Sequence, residues 1–318
     1  MEFDLNVLTR TEKRIFALRT LYSKAGYSPY RMLKFEDYDL YSRNKDFLVS
    51  DRVITFTDTN GRLKALKPDV TMSLVRNIKD RPDELQRLYY DENVYRVSER
   101  TNSFKEIMQM GLECIGAAGN ACVTEILRLA ESSLALIAEG RDYVLKVSDF
   151  DLIIPLVESM TEDKSVRNGI YKLMGQKNIH GIEELCSANG IDEQAVRPLA
   201  EVLRLCGSPA DVLPQLERIC SGTPAESEVP ELREVLEGIG PDSRILLDFS
   251  ITSDTSYYNG VALEGYIEGL PDCVLVGGRY DRLMQRMHKK SRAIGFAVYL
   301  DALAGMGAAP ETEDEEEI

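Results

Sequence analysis

Residues 86–116 read QRLYYDENVYRVSERTNSFKEIMQMGLECIG. Two runs in this stretch, 86–96 and 106–116, have the aromatic and alternating character of long strands. The polar SERTNSFK between them reads as their connecting loop. Side chains alternate across a strand, so Gln109 and Glu113 share one face with Gly111 between them, while Met110, Leu112 and Cys114 take the other. A glycine flanked by an amide and a carboxylate leaves a small polar hollow on a sheet. Burying that carboxylate is costly without a partner. Glu113 therefore reads as the receptor of a cationic or N–H-bearing ligand, as half of an internal salt bridge, or as part of a solvated face. The pattern alone leaves all three open.

Upstream, residues 9–25 (TRTEKRIFALRTLYSKA) place Ile15, Leu18, Leu21 and Tyr22 on one helical face, with Gly26 as the stop. RVITFTD and RLKALKP flank Asn60-Gly61, which predicts a hairpin with a type I′ turn. A short helix, TMSLVRNI, follows, capped by Asp69 or Thr71.

Downstream, the pattern predicts a helix over 120–138, stopped near Gly140, and a strand over 143–149. Residues 151–238 then carry Leu, Glu, Ala and Arg at helical spacing, with several Gly and Pro breaks and little strand signal. Strands return at 244–250, 256–267 and 273–276, the last running into Gly277-Gly278. AIGFAVYLDAL closes the chain as a strand running into a helix. Strands, helical insertion, strands, without alternating βαβ units, predict an α+β fold with a mainly antiparallel sheet flanked by helices. The expected organisation is a discontinuous core of 1–150 and 239–306, a helical insertion at 151–238, and an acidic disordered tail at 307–318.

The 318 residues carry a net charge of −15, part of it in the tail between Glu311 and Glu317. Affinity for nucleic acid comes largely from Lys and Arg replacing counterions, so no tRNA partner is expected. No apolar window is long enough for a membrane span, and the N-terminus has no signal core, so a cytoplasmic protein is expected. Six cysteines without a C-x-x-C pair, beside two histidines, argue for reduced thiols rather than a metal site. G-x-S-x-G, P-loop, G-x-G-x-x-G and H-E-x-x-H patterns are all missing from the sequence. No catalytic residue and no cofactor are expected.

Polar groups recur at KPDVT (Lys67 to Thr71), YYNG (Tyr257 to Gly260) and GGRYD (Gly277 to Asp281). Asp69 and Thr71 suit an α-amino group, or simply cap a helix. The paired glycines allow close backbone approach to a ligand, or form an ordinary turn.

Together and in order, these segments resemble the catalytic core of the histidyl-tRNA synthetases, over about residues 9 to 305. NGRLKALKPDVT resembles the family's strand turn and R-P-E-G-T element. YRVSERTNSFKEIMQMGLECIG resembles class II motif 2, with Arg96 as its leading arginine and Gln109, Gly111 and Glu113 as Q-x-G-x-E. SYYNGVALEG resembles R-G-L-D-Y-Y-T-G, and GGRYDRL and AIGFAVYLDAL resemble the glycine-rich turn and motif 3.

The resemblance implies a class II synthetase-like sheet and a histidine pocket. Asp69 and Thr71 would take the amino group. Gln109 and Glu113 would line the pocket, and Tyr257, Tyr258 and Tyr280 would close around the carboxylate and imidazole. Arg96 would hold the carboxylate. The departures fall mostly elsewhere. Ser253 and Ala302 stand where the family has arginines, Met108 replaces a histidine and Leu33 a proline, while Asp69 shortens a glutamate. Adenylation depends on fixed cations that stabilise phosphate charge, so ATP activation is not expected.

This pattern is similar to the paralogous ATP phosphoribosyltransferase regulatory subunits of histidine biosynthesis. That resemblance implies a non-catalytic subunit that binds histidine for feedback control and activates the short catalytic subunit. It also implies at least a homodimer, formed through motif 1, within a hetero-oligomer. Another synthetase-like amino-acid-binding paralogue or ligase, or an active histidyl-tRNA synthetase, are the alternatives.

Overall fold

The two long runs pair as the central hairpin of the structure, a computed structural model that describes residues 7–48, 52–98, 101–240, 243–251 and 258–306. Ahead of the hairpin come α1 (Arg10–Lys24), β1 (Ser28–Pro29), β2 (Phe35–Asp37), α2 (Tyr38–Ser42), β3 (Thr55–Thr57), β4 (Leu63–Leu66) and α3 (Val70–Asn77). The hairpin strands are β5 (Leu85–Val97) and β6 (Phe104–Gly116), antiparallel over their whole length. Next are α4 (Asn120–Ala138), β7 (Tyr143–Asp149), α5 (Phe150–Met160), α6 (Lys164–Gly175), α7 (Ile179–Ala188) and α8 (Glu193–Leu203). The short β8 (Cys206–Gly207), α9 (Pro209–Cys220) and α10 (Glu228–Glu237) complete the helical stretch. The chain ends with β9 (Ile245–Asp248), β10 (Val261–Ile267), β11 (Leu275–Arg279), α11 (Asp281–Arg286) and β12 (Arg292–Tyr299).

Nine strands form one sheet in the order β1-β5-β6-β12-β11-β10-β7-β9-β8. The β1·β5 and β7·β9 pairs are parallel and the remaining pairs antiparallel. This is the expected α+β class. Strands β2, β4 and β3 make a separate small sheet.

Thr9 and Glu12 form a reciprocal capping box at the start of α1, a device whose cap residue is worth about 1 kcal/mol. The helix buries Ile15, Leu18 and Tyr22 in the apolar core that also holds α4. Met110, Leu112 and Cys114 of β6 enter that same core, so the alternation read from the sequence points the right face inward. Cys114 meets Cys122, in the first turn of α4, and the two are joined as a disulfide. Only the other four cysteines match the expectation of free thiols.

Three further readings need correction. The turn between β3 and β4 is not type I′, because Gly61 alone has positive φ there. The Asp58 carboxylate accepts from the Asn60 and Arg62 amides, which starts the turn one residue earlier and leaves Gly61 to close it. Pro155, Pro198 and Pro214 do not break helices but lie inside α5, α8 and α9. Each is the sixth residue of its helix, so the carbonyl it leaves unpaired, four residues back, belongs to the first turn, at half-buried Asp151 and exposed Gln194 and Ala210. The segment after β12 is a 3-10 helix, Leu300–Gly305, rather than an α-helix. The acidic tail lies outside the described residues. Among the described residues no helix is long and apolar enough to cross a membrane, and no cluster of His, Cys, Asp or Glu could hold a metal ion.

Candidate ligand-binding site

The sheet face opposite α4 builds the site. On β12, Gly295, Ala297 and Tyr299 lie opposite Glu113, Gly111 and Gln109 of β6. On the other side, Leu88, Tyr90 and Glu92 of β5 lie opposite the same three residues. Directly opposed residues share a face. The floor is therefore small side chains over two rungs, with Glu113 at one end and the Gln109–Tyr299 rung at the other. The small residues are required by contact. A Cβ at Gly111 would overlap the Tyr90 ring, and one at Gly295 would overlap the Glu113 carboxylate.

The segment before α3 forms the opposite wall. Lys67 is fully buried, and its Nζ donates to Glu92 Oε2 at 3.0 Å. The Lys67 carbonyl accepts from the Tyr95 amide at 2.8 Å, and Arg96 Nε donates to the Pro68 carbonyl at 3.1 Å. These bonds fix the turn that presents Asp69 and Thr71. Asp69 is the cap, its Oδ1 accepting from the Met72 amide at 2.7 Å. Thr71 lies inside the first turn, and its hydroxyl donates to Glu113 Oε1 at 3.0 Å. Tyr280, just beyond β11, donates to Glu113 Oε2 at 2.6 Å. The glycine at 278 leaves room for the Tyr258 ring, which a Cβ there would meet.

These groups surround a cavity of about 450 Å³, within the usual range for small-molecule sites. Asp69, Thr71, Arg96, Gln109, Glu113, Tyr258 and Tyr280 all line it. Tyr257 lies outside the described residues, as does Ser253. Ala302 packs partly buried against the main core and is not part of the lining. Tyr90, Gly295 and Tyr299 also line the cavity, and the sequence reading missed them. Alternation along AIGFAVY, applied as it was to QMGLECIG, would have placed Gly295 and Tyr299 on the site face. A wider surface cleft of about 1210 Å³ lies near α2 and α11. Two of its acidic and basic groups, Asp37 and Arg76, already pair with each other.

Glu113 is buried, and burial pushes its carboxyl up to about 8, against the lowering effect of the Tyr280 and Thr71 hydroxyls, with nearby Asp69 raising it further. Burial thus favours a protonated Glu113 at neutral pH. Among the described lining residues the ionisable acids are Asp69 and Glu113, and the one cation is Arg96. That set matches a zwitterion carrying an additional N–H-bearing group.

A sequence model described as histidyl-tRNA synthetase matches residues 5–303. The chain belongs to the histidyl-tRNA synthetase family. Within that family it is similar to an ATP phosphoribosyltransferase regulatory subunit from Bacillus mycoides, 29% identical over 299 residues, 90% of this chain and 69% of the relative. A solved structure from Bacillus halodurans, described as an ATP phosphoribosyltransferase regulatory subunit/histidyl-tRNA synthetase, superposes with a TM-score of 0.81 at 21% identity. That match covers 92% of this chain and 78% of the other. A chain of the ATP phosphoribosyl transferase complex from Thermotoga maritima superposes with a TM-score of 0.69 at 17% identity, covering 92% and 98%. These two structures show the family's synthetase-like fold in this chain.

Proposed function

We propose that this chain is a non-catalytic regulatory subunit of ATP phosphoribosyltransferase that binds histidine in the cavity and relays it as feedback inhibition. The observation that carries the reading is the lining itself. A buried carboxyl at Glu113, an acid–hydroxyl pair at Asp69 and Thr71 and a single guanidinium at Arg96 surround a space of about 450 Å³.

In this reading the imidazole N–H meets Glu113, and the amino group meets Asp69, Thr71 and Gln109. The carboxylate turns toward Arg96, and Tyr258 and Tyr280 flank the ligand. Histidine inhibits only by favouring one arrangement of the assembly over another, because equal affinity for both shifts nothing. The short catalytic subunit performs the transfer, and this chain activates it. The names of the relatives support that division of labour. The strands before residue 151 and after residue 238 hold the ligand, and residues 151–238 form an insertion that shares the main apolar core and adds β8 at the sheet edge.

The same lining argues against ATP activation. A triphosphate brings several negative charges, and Arg96 is the one described cation facing the cavity. Loss of a single charge-stabilising group commonly costs about 10²–10³ in rate. A homodimer is supported by the small sheet, where Phe35 and Phe56 are exposed on one face and their rings pack edge to face at 5.4 Å.

Calorimetric titration with histidine tests the binding reading. Saturable binding supports it, and no heat at millimolar histidine removes it. Histidine-dependent exchange of pyrophosphate into ATP tests the ligase alternative, which clear turnover would restore.

A further inference from the structure

The floor of the cavity is open over two rungs of the sheet and closed at the third. Gly295 and Ala297 leave space above β12, and at the next inward position the strand carries Tyr299, opposite Gln109. Both residues line the cavity. Arg96 lines the same cavity, its Nε is held by the Pro68 carbonyl at 3.1 Å, and its charge acts on the Tyr299 hydroxyl. Tyr299 from β12 and Arg96 from β5, the latter tied to the start of α3, therefore wall this part of the cavity. With glycine or alanine at 299, the small-residue floor would run on past Arg96.

We infer that Tyr299 sets the size limit of the site, admitting an amino acid with a free carboxylate and rejecting one extended at that carboxylate. The inference rests on the histidine reading, which directs the ligand carboxylate toward Arg96. A group attached there as an ester, amide or acyl phosphate projects toward the Tyr299 ring. The ring is carried by a paired strand and shares the cavity lining with Arg96. Displacing it strains packed side chains, the same kind of penalty that overpacking imposes elsewhere. The wall thus confines the ligand to the half of the site around Glu113, and a feedback sensor needs that discrimination because cells hold histidine in activated forms as well as free.

The test compares histidine with histidine benzyl ester, by calorimetric competition on the full chain and on Tyr299→Ala and Tyr299→Phe. Esterification removes the same charge in each protein, so a change in the ratio of the two affinities between proteins reads size alone. The inference expects Tyr299→Ala to shift that ratio toward the ester by about tenfold or more, with histidine itself weakened less than the ratio shifts. Tyr299→Phe should keep the wild-type ratio, because the ring rather than the hydroxyl excludes the ester. A shift under about threefold in Tyr299→Ala, or a wild type that binds ester and acid equally, overturns the inference while leaving histidine binding intact. Absence of histidine binding to the wild type instead removes the parent reading, and the inference with it.

Discussion

The hydroxyl of Tyr280 donates to Glu113 Oε2 over 2.6 Å. Thr71 donates to the other oxygen at 3.0 Å. Both donors are neutral, and no cation among the described residues acts on this carboxyl, whose other charged neighbour is Asp69. Two hydroxyls orient the group and offset only part of the cost of burying its negative charge. Glu113 is consequently a buried acid held in a fixed direction, able to share its proton with a basic ring.

That arrangement fixes the pH dependence of histidine binding. Burial pushes the Glu113 carboxyl up to about 8, and a free imidazole titrates near 6.5. Between these values the protein brings the single shared proton and binding takes up none. Above about 8 the complex must acquire a proton, and below about 6.5 it must release one. Affinity should therefore be level from about pH 6.5 to 8 and fall toward tenfold per unit outside that window. Titrations in buffers of different ionisation heat would read the proton count directly, and an affinity rising steadily from pH 6 to 9 would contradict the assignment of Glu113.

Glu113→Gln separates binding from stability. The raised carboxyl holds a proton in the folded state between its ordinary value of 4.5 and about 8, where the unfolded chain has lost it. Wild-type stability therefore falls as pH rises through that interval and levels off above it. Glutamine never ionises. The variant should melt increasingly above wild type from pH 5 to pH 8, while losing histidine affinity by about tenfold or more through its lost charge-assisted contact. Equal melting temperatures at both ends of the range would show that Glu113 is not buried as described.

Gly295→Ala tests the floor. Its Cβ would overlap Glu113 Oε2 and the Leu112 backbone carbonyl. The backbone of β6 has no room to yield, so the variant should lose about 1–3 kcal/mol of stability and most of its histidine affinity. Gly240→Ala meets nothing within 4 Å and should stay within about 0.5 kcal/mol of wild type. Denaturant midpoints for the two variants make the comparison.

Phe35→Asp places a charge in the exposed apolar group of the small sheet. If that face joins two copies, sedimentation should show a dimer for wild type and a monomer for the variant, with helical content unchanged. A dimer in both would move the contact elsewhere.

The sequence was most informative where periodicity and burial agree. The β5–β6 pair was legible because its strands are long and their inward faces strictly alternate. Glu113 stood out because a carboxylate between apolar neighbours needs an explanation. Other features depended on how short connections and side chains turn the chain, which periodicity does not show. Cys114 meets Cys122 across the short connection from β6 to α4. Asp58 redirects the hairpin turn through its side chain, a local competition that the Asn-Gly pair conceals. Tyr299 reads as an ordinary strand aromatic until the register places it opposite Gln109. The prolines of α5, α8 and α9 suggested breaks because the sequence does not show that each frees only a first-turn carbonyl.

The most direct test mixes this chain with a short ATP phosphoribosyltransferase catalytic subunit and follows phosphoribosyl transfer to ATP as histidine is added. The account predicts that the chain raises the catalytic subunit's activity and that histidine suppresses the activity of the wild-type complex. A complex with Glu113→Gln should be equally active and resist histidine. No stimulation by the chain, or equal inhibition of both complexes, would contradict it.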